Sequence, residues 1–121
     1  MTIKRIEENG MQIAYIPETE LLITDTQSAL DLMATIHYET GCNRIILNKA
    51  SICEDFFILS TCLAGEILQK YINYNVKLAI IGDYSSYTSK PLHDFIYESN
   101  RGKDIFFVST LEDARNYISQ S

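Results

Sequence analysis

Apolar positions along the chain follow two periods, one of about two residues and one of about 3.6, and the places where the period changes mark the elements. Residues 2–8 and 11–16 are short β-type runs separated by Asn9-Gly10, a strong two-residue hairpin signal. Met11, Ile13 and Tyr15 alternate with Gln12 and Ala14, so one strand face is more buried than the other. Beyond residues 21–23 the period lengthens: Ala29, Leu32, Met33 and Ile36 fall at i, i+3, i+4 and i+7, one helical stripe. Thr24-Asp25-Thr26-Gln27 has the Thr-x-x-Gln form of a capping box, Asp25 adds negative charge at the positive end of the dipole, and Gly41 supplies a left-handed stop.

Ile45-Ile46-Leu47, within residues 44–47, reads as a short buried strand. Two helix starts compete after it: Ser51-Ile52-Cys53-Glu54 has capping-box form, and Ser60-Thr61 offers another. Leu63, Ala64, Ile67, Leu68, Tyr71 and Ile72 then make a helical stripe ending near Asn75, and Gly65 inside it reads as a close-packing site. Residues 76–81 (VKLAII) are apolar except for Lys77, the mark of a strand buried on both faces of a parallel sheet, ended by Gly82-Asp83. A polar loop over 83–89 leads to a helix over 91–100, with Leu92, Phe95 and Ile96 inward and Gly102 as its stop. Residues 104–108 form the last strand. Ser109-Thr110-Leu111-Glu112 reads as a final capping box before the stripe Leu111, Ala114, Tyr117 and Ile118. The order β-β-α-β-α-β-α-β-α predicts a single α/β domain over residues 1–121, an N-terminal antiparallel hairpin followed by a mostly parallel sheet with right-handed crossovers.

Length and charge narrow the classes of function. A chain of 121 residues is one domain's worth. Ten Lys and Arg against 16 Asp and Glu give a net charge of −6, which argues against nucleic acid or an anionic membrane as partner. No signal-peptide core and no membrane-length apolar run is present, so a cytoplasmic location is expected. Cys42, Cys53 and Cys62 form no CxxC, and His37 and His93 complete no zinc spacing; the cysteines read as reduced, mostly buried thiols and the histidines as helix-surface residues.

Ligands of an open α/β sheet gather beyond the carboxyl ends of its parallel strands. Three stretches are expected to converge there: Asn48-Lys49, the run Asp83-Tyr84-Ser85-Ser86-Tyr87-Thr88-Ser89-Lys90, and Ser109-Thr110. Asn48, Lys49, Asp83, Tyr84, Ser85, Tyr87 and Lys90 are the candidate ligand-binding residues, Lys49 and Lys90 supplying charge for a phosphate or carboxylate. Capping and turn formation explain the same Ser, Thr and Asp residues without a ligand. Glu54, Asp55 and Asp83 could meet at one strand end and hold Mg²⁺, or serve as solvated carboxylates. There is no G-x-S-x-G elbow, P-loop or G-x-G-x-x-G turn, no catalytic residue is singled out, and no metal or cofactor is implied. Tyr71, Tyr74, Tyr84, Tyr87 and Tyr97 would suit either an interface patch or a half-buried core.

The stretches EDFF…L-x-T-x-L-A-G-E-I-L-Q-K and YTSK…DFIYESN, with QSALDLMATIHYETGCNRIILNK before them, resemble the bacterial domain-of-unknown-function 4180 family over nearly the whole chain. That resemblance implies no activity. The element order also resembles the STAS domain of anti-sigma-factor antagonists, in which an F-[IM]-D-S-S-G-L-G turn into the second helix carries a phosphorylated Ser or Thr. The similar stretch here is Phe57-Ile58-Leu59-Ser60-Thr61-Cys62-Leu63-Ala64, with Leu59 in the place of the motif's Asp and Cys62 and Ala64 in the places of its glycines. The resemblance implies Thr61, or Ser60 before it, as phosphoacceptor. Two functions follow as expectations: a non-enzymatic regulatory or interaction module that binds a protein partner, and a small-molecule-binding protein or small enzyme that takes a phosphorylated or carboxylated metabolite in the strand-end crevice. Beside them stand structural roles, including self-association as a homo-oligomer through an uncovered sheet edge.

Overall fold

Asn9 and Gly10 both take positive φ, 52° and 78°, and turn the chain between β1 (Lys4–Glu8) and β2 (Met11–Tyr15). These strands pair antiparallel, with Ile6 opposite Ile13. The computed structural model describes residues 1–120. Beyond the hairpin follow α1 (Thr26–Thr40), β3 (Arg44–Asn48), α2 (Leu63–Asn73), β4 (Lys77–Ile81), α3 (Lys90–Arg101), β5 (Ile105–Val108) and α4 (Leu111–Ser119). The five strands lie in the order β1-β2-β3-β4-β5, with β2 through β5 parallel, so the expected architecture holds.

Crossovers of one hand that all advance in one direction put their helices on one face of the sheet. Leu32 and Ile36 of α1, Ile67 and Tyr71 of α2 and Leu92 of α3 accordingly share one core with Ile45, Leu47, Leu78, Ile80 and Phe107. The opposite face, with Ile13, Ile46, Ala79 and Phe106, is closed by Ala114 and Ile118 of α4. Leu78, Ala79 and Ile80 are fully buried between the two layers, which accounts for the unbroken apolar run of β4. Tyr71 joins two helices: its buried hydroxyl donates to the Ala29 carbonyl at 2.7 Å, and burial pushes the phenol's pKa up.

Several local expectations are corrected. Asp25, not Thr24, caps α1: its carboxylate accepts from the Ser28 amide at 2.7 Å, and the Ser28 hydroxyl accepts from the Asp25 amide at 3.0 Å. Gln27 instead donates to Asp31. Thr110, not Ser109, caps α4, accepting from the Asp113 amide at 3.1 Å. Gly41 does end α1 in the left-handed conformation, φ 74°.

Ser51 starts no helix. It is buried, its hydroxyl donates to the Glu18 carbonyl, and its own carbonyl accepts from the Leu22 and Ile23 amides. Nor does a helix begin at Ser60. Three 3₁₀ turns, Lys49–Ser51, Glu54–Phe57 and Leu59–Thr61, occupy the interval before α2. The adjacent Phe56 and Phe57 are both buried, and neighbours in sequence do not share one face of an α-helix. Gly65 is not a close-packing site, since a Cβ there would meet nothing within 4 Å. Ile72 and Tyr117 are exposed, so the stripes of α2 and α4 are narrower than expected. Of the cysteines, all free, only Cys42 is buried; Cys53 is half-buried and Cys62 exposed.

Candidate functional site

β3 and β4 end side by side, and both following connections turn toward the face that holds α2 and α3. A crevice of the doubly wound kind forms where neighbouring strand ends send their loops to opposite faces, and β3 and β4 do not do this. β4 and β5 do: the Gly82 amide donates to the Val108 carbonyl at the strand ends, and Ser109 and Thr110 then lead to the other face with α4, away from Lys49 and the 83–90 loop.

Lys49, in the turn after β3, lies across the backbone at the end of β4. A Cβ on Gly82 would fall 2.6 Å from the Lys49 Cβ, so only glycine lets this side chain pass. The Lys49 Nζ sits 4.9 Å from the ring centroids of both Phe57 and Tyr87, which stack on each other at 5.7 Å. Glu54 closes the group: one carboxylate oxygen lies 3.7 Å from the Lys49 Nζ, and the other accepts the Tyr87 hydroxyl at 2.7 Å. Burial pulls the ammonium's pKa down, but Tyr87 and Glu54 outweigh it and hold the group above its ordinary value. Burial raises the Tyr87 phenol, Glu54 adds to that rise and Lys49 opposes it. His93, in the first turns of α3, donates from Nε2 to the Tyr87 carbonyl and fastens the loop from its other side.

The other expected residues go elsewhere. Asn48 donates to the carbonyls of Pro17 and Glu18. Lys90 pairs with Asp94 at 2.7 Å on the exposed side of α3. Asp83 accepts from the amide and hydroxyl of Ser85, bonds that lower its pKa, with Lys49 a smaller cause of the same sign. Tyr84 turns inward: its hydroxyl donates to the Ile80 carbonyl, its ring lies against Phe107, and burial drives its pKa up. Glu54, Asp55 and Asp83 form no group able to hold a metal among the described residues. The tyrosines do not make one patch: Tyr71 is core, while Tyr74, just past the end of α2, and Tyr97 on α3 are exposed.

What the loop and the 3₁₀ turns build together is a groove of about 410 Å³. Phe57, Ile58, Leu59 and Ser60 line one wall; Ser86, Tyr87, Thr88, Ser89 and Pro91 line the other. Ser60 and the 83–90 loop, two separate expectations, thus meet at one place. The Thr61 hydroxyl is engaged, donating toward the Asp55 and Ile58 carbonyls at 2.8 Å and accepting from the Leu63 amide at 3.3 Å. Ser60 is exposed at the groove wall. Phe57, Gly82, Glu54 and His93 were not singled out for this arrangement. The one legible signal was a glycine directly after a buried strand, which marks a close approach as readily as a strand end.

A family model described as "Domain of unknown function (DUF4180)" matches residues 8–118 of the chain. No curated protein and no solved structure matches it.

Proposed function

The chain belongs to the DUF4180 family, and we propose that this member is a non-enzymatic interaction module that receives a protein partner in the groove between the 57–60 wall and the 86–91 wall. The observation that carries this reading is the groove itself, with an apolar wall in which Ile58 is 47% exposed, opposite Pro91 and four hydroxyl-bearing residues. Apolar anchors inside a polar rim are the ordinary composition of a protein-binding surface. The cations meant for an anionic ligand support the same choice, since Lys49 is held by Glu54 and two rings and Lys90 by Asp94. The likeness of the element order to STAS domains fits a regulatory role, with Ser60 as the more accessible acceptor and Thr61 tied into its turn. Phosphate on Ser60 would add a charge of about −2 to the groove and repel an acidic partner.

The test is affinity capture of the tagged protein from its native host, with the wild type compared with Ile58→Asp and Ser60→Asp. A stoichiometric partner of the wild type that Ile58→Asp loses, without loss of thermal stability, is the expected result. A partner bound equally by both proteins excludes the groove, and equal binding by Ser60→Asp excludes the phosphoswitch. A second reading, a phosphorylated or carboxylated metabolite at the same strand ends, draws on the meeting of Lys49 and Tyr87. It requires that such an anion raise the melting temperature and that Lys49→Ala abolish the rise.

A further inference from the structure

α2 carries two stripes. Ala64, Ile67, Leu68 and Tyr71 are buried against the core. Cys62, Gly65, Gln69 and Ile72, the first of them the residue that opens the helix, fall at i, i+3, i+7 and i+10, and all four are exposed. Cys62, Gly65 and Gln69 line an open groove of about 620 Å³ shared with Leu59 and with Phe95 of α3, and Ile72 lines a smaller hollow with Glu98. Glycine is a poorer helix former than alanine, and a Cβ at position 65 would meet nothing in this chain, so nothing inside the molecule accounts for it.

Charge on α2 and α3 differs from the rest of the chain. α2 and α3 together hold Glu66, Asp94 and Glu98 against Lys70, Lys90 and Arg101 and are neutral, whereas the chain as a whole carries −6. Lys90 pairs with Asp94 and Arg101 with Glu98. Glu66 accepts from the Thr26 hydroxyl, and neither Glu66 nor Lys70 has an ion-pair partner among the described residues.

We propose that α2 packs antiparallel on α2 of a second copy of this chain, about a two-fold axis crossing the helix midway between Gly65 and Gln69. That register sets Cys62 against Ile72 of the partner subunit and Gly65 against Gln69 of the partner subunit, small against large each time. It also brings Glu66 within a turn of Lys70 of the partner subunit, and the symmetry makes every one of these contacts twice. The stripe complements itself in size and in charge, which identifies the occupant as a second copy rather than an unlike partner. A net charge of −6 opposes self-association generally, and a helix whose own charges balance, as Glu66 and Lys70 do on α2, is where that opposition is weakest. On the outer side of β5 the Asn100 side chain already bonds the amide and carbonyl of Phe107, so that edge is less open to a second copy than the α2 face. The dimer face adjoins the proposed partner groove at Leu59, and the charge reversals at Glu66 and Lys70 lie outside that groove, so either reading can fail without the other.

Sedimentation equilibrium of the intact protein over about 5–500 µM tests this, a range suited to a contact as small as one helix pair. The expected result is a monomer–dimer equilibrium that Glu66→Lys and Lys70→Glu each weaken by about tenfold or more. The double variant, with the charges exchanged, restores wild-type affinity. Oxidised Ile72→Cys protein gives a covalent dimer through Cys62, and Thr35→Cys on α1 gives none. A monomer at every concentration overturns the proposal. So does a dimer that ignores the single reversals, one that the double variant fails to restore, or one that Ile72→Cys does not crosslink.

Discussion

A single missing Cβ decides how the strand ends are used. At Gly82 the side chain of Lys49 crosses the backbone so closely that an added methyl would lie 2.6 Å from the Lys49 Cβ and 2.9 Å from its Cδ. Gly82→Ala is therefore expected to lower stability by about 1–3 kcal/mol, the usual cost of overpacking, as read from urea denaturation. Lys49→Ala would leave the Lys49 Cβ, the nearest atom, in place, whereas Lys49→Gly clears it. The Gly82→Ala, Lys49→Gly double variant should therefore lose less than the two single losses added together, and strict additivity would disprove the contact. The neighbourhood explains why the clash cannot be relieved freely: to move, Lys49 must leave Glu54 and the faces of Phe57 and Tyr87. Lys49 and Tyr87 were legible in the sequence as strand-end residues. That they hold each other, with Glu54 between them, was not, because Glu54 and Tyr87 are 33 residues apart and no local pattern links them.

Elements begin and end where short side chains reach backbone amides, and α1 shows the consequence for pH. The Ser28 amide, followed by the Ser28 hydroxyl, holds the Asp25 carboxyl below its ordinary value. A carboxyl whose folded pKa is depressed stabilises the fold fully above its unfolded value of about 3.9 and loses that contribution as pH falls through the folded pKa. Asp25→Ala should lower the melting temperature at neutral pH, because the Ser28 amide loses its acceptor. The gap in melting temperature between wild type and variant should stay constant from about pH 7 to pH 5 and close below about pH 4; a gap that widens in acid would contradict the cap. The helices themselves were legible from the 3.6-residue period, but two of their caps were read one residue early. Thr24 and Asp25, like Ser109 and Thr110, are adjacent residues that can both cap, and only the folded backbone selects between them. The 49–61 interval was the poorest read, since burial of adjacent phenylalanines and the bridge between Ile23 and Ile52 outweigh its capping signals.

For the molecule as a whole, the open sheet must stop at two edges. β1 does so with charge, carrying Lys4, Arg5, Glu7 and Glu8. β5 is Ile-Phe-Phe-Val, buried throughout, and stops with one amide: Asn100 of α3 accepts the Phe107 N–H at 2.7 Å and donates to the Phe107 carbonyl at 3.0 Å. Asn100→Ala leaves both backbone groups without that partner, an expected loss of about 1–3 kcal/mol in chemical denaturation. Light scattering on warming should rise earlier in the variant than in wild type, because an apolar strand with an open edge is a template for another chain. Unchanged scattering would mean that α3 shields the edge without the Asn100 bonds. No described helix is long and apolar enough to cross a membrane.

By itself the sequence determined the element order, the hairpin at Asn9-Gly10, the doubly buried β4 and the parallel sheet. Each of these is written in local periodicity and turn chemistry, and the backbone has few ways to satisfy them. Tertiary structure decided where the loops go. Crossovers advancing β2-β3-β4-β5 in one direction leave β3 and β4 opening to the same face, where the groove beside the start of α2 lies, while α4 takes Ser109 and Thr110 to the other, so the change of face falls between β4 and β5. It also turned Lys49 from a charge offered to a ligand into one held by its own chain, a choice made by groups that only folding brings together.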